Sequence, residues 1–249
     1  MNHDFEDVEV KENSIELLKK ELIRRPKAMI GTGAMTDPYI PAEKHLKYVR
    51  KSLELIDRYG FGFTCITKSD LVLRDLELLK NINDKAKVVV QMTLTTADDD
   101  LCRILEPNVC PTSRRAEVLN VLKDEGIPTV VWLCPILPYI NDTFENIEGI
   151  LDYCIDADVK GILCFNMGLT LRDGNRQYFY GKLDEHFPGM KERYIKEFGD
   201  SYVLGSPNND ELMKYFKKRT AEAGIMNDTY EILSYLAKFP QKTRQSKLF

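Results

Sequence analysis

Lys68 ends an apolar run in the sequence ITKSD, with the hydroxyls of Thr67 and Ser69 on either side. An ammonium between two hydroxyls at a strand end suits an anionic group such as a carboxylate or a phosphate. As a neutral amine, the same lysine could instead form a Schiff base with a carbonyl substrate. A solvated strand-end lysine is the plain alternative. A second concentration of special chemistry is TGAMTDPYIP, residues 32–41, with Gly31 and Gly33, one carboxylate and two prolines between a strand-like and a helix-like stretch. Asp37 reads there either as a turn-former ahead of Pro38 or as a hydrogen-bond acceptor for a ligand. Thr93, Thr95 and Thr96 end a third run, where β-branched residues are at home in any strand. Asp98, Asp99 and Asp100 after them suit a helix N-terminus, where the macrodipole favours negative charge. Tyr39, Arg172, Asp173 and Arg176 are stronger as a group than singly, although Arg172 and Asp173 also read as an ion pair steering a late loop.

Other chemistries find little support. His3, His45 and His186 lie far apart, so a histidine metal site is not expected, and no dinucleotide, phosphate-loop or nucleophile-elbow motif occurs. None of the six cysteines forms a C-x-x-C pair; the nearest neighbours are eight and ten positions apart. Cys65, Cys134 and Cys164 fall inside apolar runs and read as small core residues of a reducing compartment.

The elements that must position these groups are β-rich runs at 27–33, 62–68, 87–95, 128–136 and 160–167. They are nearly continuous apolar stretches, as strands buried on both faces are. Helical patterns alternate with them at 42–60, 70–83, 113–126 and 142–157, and one more precedes them in ENSIELLKKELIRRP. Asn141 or Asp142, and Thr112 or Ser113, are expected as N-caps, with Gly60 and Gly126 at helix ends. The alternation predicts an α/β fold with parallel strands, right-handed crossovers and helices outside the sheet, in the manner of a partial barrel. All the polar clusters then fall at strand C-termini, where such folds place their chemistry. Residues 1–225 are expected to form the barrel-like domain and 226–249 a C-terminal helix with a basic tail.

The chain has 249 residues, of which 43% are hydrophobic and 30% charged, with a net charge of −4. A pI near 5.6 does not favour a protein that coats nucleic acid. The longest apolar run, TVVWLCPILPYI, has 12 residues and two prolines, against roughly 20 for a membrane span. The acidic start MNHDFEDVEV lacks the apolar core of a secretory signal, so a cytoplasmic location without membrane attachment is the expectation.

TGAMTDPY, GFGFTCITKSDLVLRDLELL, TLTTADDDLCRILEPNVCPTSRRAEVLNVLKDEGI, PILPYINDTFENIEGIL and GLTLRDGNRQYFYGKLDEHFPGMKERYIKEFG occur in this order and together resemble radical SAM proteins related to spore photoproduct lyase. The resemblance implies a partial parallel (β/α) barrel in which a [4Fe–4S] cluster, held by C-x-x-x-C-x-x-C, binds S-adenosylmethionine. The cofactor is cleaved reductively to a 5′-deoxyadenosyl radical with an electron donor as partner. By motif, Thr36, Asp37 and Tyr39 would lie at the SAM amino group, Lys68 and Ser69 at its carboxylate, and Thr93 near its ribose. Arg172, Asp173 and Arg176 would face the substrate, for which the relationship suggests DNA. The sequence departs from the pattern in one respect: C-x-x-x-C-x-x-C is absent. On the resemblance, the first strand and the cluster loop are missing ahead of Met1, and the chain alone is expected to be inert. Three accounts stand open: a shortened form or mis-assigned start of an enzyme, a split protein with its cysteines on another fragment, or a non-redox binding module for SAM or another ligand.

Overall fold

The structure, a computed structural model, describes residues 8–172 and 174–240. Five strands, β1 (Met29–Thr32), β2 (Gly62–Thr67), β3 (Val88–Thr93), β4 (Thr129–Trp132) and β5 (Gly161–Leu163), form one sheet in chain order. Every pairing in it is parallel. The five apolar runs thus become five parallel strands, each shorter than its run. The register sets Gly31 beside Thr64, Thr64 beside Val89 and Thr93 beside Trp132. Among the described residues, β1 has no strand partner on its other side.

Preceding β1 is α1 (Ser14–Arg24). The crossovers contain α2 (Glu43–Leu46), α3 (Tyr48–Tyr59), a 3₁₀ turn at Asp70–Asp75, α4 (Leu76–Lys85), α5 (Asp99–Leu105), α6 (Thr112–Asp124) and α7 (Phe144–Asp156). Strand side chains alternate between the two faces. One face presents Phe63, Cys65, Val90, Met92, Val131 and Ile162, which share the main apolar core with Leu53, Ile56, Leu79, Leu119 and Ile147 of the helices. Beyond β5 the chain adds an antiparallel pair, β6 (Gly168–Thr170) and β7 (Val203–Gly205), around α8 (Asn175–His186) and α9 (Met190–Phe198). Leu169, Leu183, Tyr194 and Leu204 build a second small core there, against Leu137 from the loop after β4. α10 (Asn209–Glu222) packs on α7 and places Leu212 and Phe216 in the main core.

The last helix, α11 (Thr229–Ala237), corrects the expectation that helices lie outside the sheet. Its Ile232 and Leu236 pack on Val89, Val130 and Leu163, the opposite face of the strands. Lys87, ahead of β3, secures the helix end by donating from Nζ to Tyr235 O while lying 3.7 Å from the Tyr235 ring centroid. Half-burial of this lysine lowers its pKa. The basic tail at 241–249 lies outside the described residues.

Local punctuation differs in places too. Thr143 caps α7, rather than Asn141 or Asp142, and Pro111 occupies the cap position of α6 while Thr112 hydrogen-bonds Thr96 O. Asn141 and Asp142 are buried instead, Asn141 bridging Leu137 N and Thr95 O. Gly60 ends α3 in the left-handed conformation, and Asp98 caps α5. Among the described residues, no helix is long and apolar enough to cross a membrane.

Candidate functional site

The loop after β1 is built on a close approach. Gly33 has φ +97°, and a Cβ there would lie 2.2 Å from Ile66 O, so the backbone passes against β2 where only glycine fits. Asp37 then ties the loop to the end of β2. Its carboxylate accepts from Tyr39 N at 2.8 Å, from Thr67 Oγ1 at 2.8 and 3.0 Å, and from Lys68 N at 2.8 Å. The concentration of special residues in 32–41 therefore makes a fastened crossing rather than a flexible turn.

A second carboxylate fastens the far end. The helical pattern at 42–60 is broken at Lys47 (φ 56°), where Glu43 folds back to accept from Tyr48 N at 2.8 Å and Val49 N at 3.1 Å. A buried carboxylate at a helix start satisfies free N–H groups and complements the dipole. Arg74 reaches both Glu43 Oε1 and Asp75 Oδ2, at 2.8 and 2.7 Å, and Arg50 adds a contact to Asp75 at 2.9 Å.

Beyond β2 the charges line up. Lys68 Nζ lies 2.6 Å from Glu106 Oε1, and Arg115 Nη1 lies 2.7 Å from Glu106 Oε2. Arg115 is fully buried and also donates to Thr93 O at 3.0 Å and Cys110 O at 2.8 Å. Thr95 Oγ1 approaches Glu106 at 3.3 Å, and Cys110 Sγ donates to Lys68 O at 3.0 Å. Burial pushes the Glu106 carboxyl up, but Lys68 and Arg115 more than offset this and hold it below its ordinary value. Asp37, Lys68 and the Thr93 main chain are thereby joined in one continuous network at the C-terminal ends of β2 and β3.

The strand face shared with α11 turns polar toward this end. Trp132 Nε1 donates to Gln91 Oε1, Gln91 Nε2 to Thr64 Oγ1, and Thr64 Oγ1 to Val89 O, each at 2.8 Å. Thr93 stands on the same face as Trp132, whose ring lies 5.9 Å from that of the exposed Phe165.

The remaining candidates are placed as follows. Thr36 is exposed on the loop. Ser69 Oγ accepts from Leu71 N at 3.3 Å and starts the 3₁₀ turn. Tyr39 is 2% exposed, and its side chain belongs to the core. The Asx turn at Asp37 rotates the ring inward, where burial and the neighbouring Asp75 raise the pKa of its hydroxyl. Arg176 donates to Gly199 O, Ser201 O and Tyr180 Oη, holding α8 to the segment after α9. Exposed Arg172 lies beside Tyr202 and, with Thr170, lowers the pKa of its hydroxyl. Neither arginine joins the Lys68 network, and Asp173 lies outside the described residues. For Schiff-base chemistry Lys68 would need a free neutral amine, whereas its ammonium is in an ion pair.

Glu106, Arg115 and Gln91 are not singled out by sequence reasoning. Spacing does not single out Arg115: it has Leu119 and Leu122 four and seven positions on, but Arg114 has Val118 and Val121 at the same spacing, and only the structure shows Arg114 turned to Asp70 and Glu117 at the surface.

An iron–sulfur cluster needs thiolates converging on one point. All six cysteines are described and free. Cys65 and Cys154 are fully buried, with their pKa pushed far up by burial, and burial takes Cys164 up to about 12. No group of three His, Cys, Asp or Glu among the described residues could hold a metal ion. These side chains do not fit the cluster.

Comparison with known proteins gives one family match: the model described as "Radical SAM superfamily" matches residues 3–154. An uncharacterized protein of Mycobacterium tuberculosis is 29% identical over 195 residues, covering 77% of this chain and 56% of that protein. An uncharacterized protein of Acidianus two-tailed virus is 31% identical over 207 residues, covering 82% and 64%. The chain thus spans roughly half to two thirds of these relatives. Among solved structures, a spore photoproduct lyase variant superposes with a TM-score of 0.58 at 14% identity, over 84% of this chain and 62% of the other, a likeness of fold.

Proposed function

The chain belongs to the radical SAM superfamily, and from that premise we propose that the C-terminal end of its parallel sheet binds S-adenosylmethionine. The observation that carries this reading is the Lys68 ammonium, one third exposed at the strand end and backed by Glu106 and Arg115. Glu106 takes one donor of the Lys68 ammonium and Asp37 is turned to the Thr67 hydroxyl and main-chain N–H groups, so the ammonium keeps donors for the carboxylate of an amino-acid ligand. Ser69 stands beside it, the Thr36–Asp37 backbone offers polar groups to the ligand's amino end, and Thr93 faces the sugar from the polar strip of the sheet. Asp37 acts by holding the loop, because its oxygens already accept from three groups of the protein.

The family's reductive cleavage of SAM needs a cluster that these cysteines do not fit, so this reading assigns ligand binding and no chemical step. Arg172 marks the substrate side, and Arg176 supports it through the backbone of 199–201; Asp173 is carried by the sequence motif alone. The substrate class, DNA included, rests on kinship with the photoproduct lyase fold. Six free cysteines agree with a reducing, cytoplasmic setting.

Calorimetric titration of the chain with SAM tests the proposal. Binding is expected, and Lys68→Ala should weaken it about tenfold, from loss of one charge-assisted hydrogen bond. Unchanged affinity removes Lys68 from the site, and absence of binding to the unaltered chain overturns the reading.

A further inference from the structure

Glu106 is almost as buried as the arginine it meets, yet one of its oxygens points to the partly exposed lysine. Its position follows from a chain of fixed groups. The Arg115 guanidinium is immobilised by two main-chain carbonyls, Thr93 O and Cys110 O, so it sets the place of Glu106 Oε2. Thr95 Oγ1 approaches the same oxygen. Oε1 is then left to meet Lys68 Nζ at 2.6 Å. The lysine backbone is held on both sides, its N–H by Asp37 and its carbonyl by Cys110 Sγ. A lysine side chain has a flexible stem and three equivalent donors, and carries no directional preference of its own. With its backbone pinned and one ammonium hydrogen directed to Glu106, the other hydrogens have a defined direction. Glu106 also separates two cations that would otherwise repel across a poorly solvated gap.

We propose that Glu106 is a positioning residue that aims the Lys68 ammonium at a ligand carboxylate, and so sets the preference of the site for nucleosides that carry this carboxylate. The proposal rests on the reading of Lys68 given above and adds a residue that never touches the ligand.

The test measures one ratio, the affinity for S-adenosylhomocysteine over that for its decarboxylated analogue, which differs by the carboxylate alone. Titrations use the full chain, Lys68→Ala, Glu106→Gln and Glu106→Asp. The unaltered chain should prefer the carboxylated ligand. Glu106→Gln should reduce that preference severalfold because the ammonium is no longer aimed, although the change removes a negative charge from beside it, with affinity for the decarboxylated analogue held within about twofold; a preference that instead rises, as charge alone would dictate, overturns the proposal. Glu106→Asp keeps the charge beside Arg115 but draws it back from Lys68, so it folds and loses part of the preference. A purely structural Glu106 would weaken both ligands together and leave the ratio unchanged, which overturns the proposal. If Lys68→Ala abolishes the preference while both Glu106 variants retain it, only the role of Glu106 falls. If Lys68→Ala itself retains the preference, or the unaltered chain shows none, the underlying reading falls with it.

Discussion

Asp37 Oδ2 accepts the main-chain N–H of Lys68 at 2.8 Å, joining the loop after β1 to the residue that ends β2. The same carboxylate takes the hydroxyl of Thr67. Strand β1 and the mouth of the sheet are therefore mechanically one piece. Asp37→Ala is expected to lose about 1.5–3 kcal/mol, the range for hydrogen bonds to a charged group. Asp37→Asn should lose a similar amount, because its NH₂ would face a group that can only donate. Urea denaturation measures both, and a loss below about 0.5 kcal/mol, typical of a neutral surface change, would rule out the fastening role.

Gly33 and Gly31 look alike in the sequence and differ in the structure. An added Cβ at Gly31 meets only Thr64 Cγ2, at 3.6 Å, while at Gly33 it collides with the Ile66 backbone and φ is +97°. Gly33→Ala should therefore cost at least about 1–3 kcal/mol, and Gly31→Ala well under about 1 kcal/mol. Equal melting temperatures for the two variants would contradict the crossing.

The difference between these glycines shows what the sequence could and could not yield. Continuous apolar runs and their spacing identify the five parallel strands, because two-sided burial leaves that pattern in the composition. Lys68 was visible as a charge ending such a run. Glu106 and Arg115 were not, because burial of an ion pair depends on three segments meeting, and SRR does not say which arginine turns inward. The inward turn of the Tyr39 side chain is hidden for a like reason: an Asx turn decides its direction, and the motif does not. α11 reads as an ordinary amphipathic helix, and nothing local says which face of the sheet it will cover.

Arg115 should be among the most sensitive positions in the chain. Arg115→Leu leaves Glu106 with a single cation and leaves the Thr93 and Cys110 carbonyls without this donor. A loss of about 3–5 kcal/mol is expected, as for removal of one partner of a buried ion pair. Arg115→Lys should recover only part of it, because an ammonium cannot span the three acceptors as the guanidinium fork does. Chemical denaturation decides; full rescue by lysine would mean that charge alone matters.

Acid should reveal Glu106. Its carboxyl is held below the ordinary value in the folded chain, so its contribution is complete above the unfolded value of 4.5 and is lost as pH falls through the lower folded value. The stability difference between the unaltered chain and Glu106→Gln should be constant near neutrality and shrink below about pH 4.5. A difference that instead grew on acidification would reverse the sign of the coupling.

The cysteines allow a prediction about metal. Reconstituted anaerobically with iron and sulfide, the 249-residue chain is expected to take up no stoichiometric cluster and to release no 5′-deoxyadenosine. Cys65 and Cys154, both fully buried, should resist thiol reagents until the chain unfolds, while half-buried Cys110 and Cys134 react first. Stoichiometric iron with 5′-deoxyadenosine formed under reduction would require several of the six to be ligands.

The stretch from Gly33 to Glu43 is anchored twice, by Asp37 to β2 and by Glu43 to the start of α3. A chain segment of this length normally loses conformational entropy when a ligand settles on it, and that loss weakens binding. Here the ordering took place when the protein folded. A molecule docking against the loop meets a rigid wall: association need not wait for loop rearrangement, and its entropy of binding is set by solvent and by the ligand's own freedom.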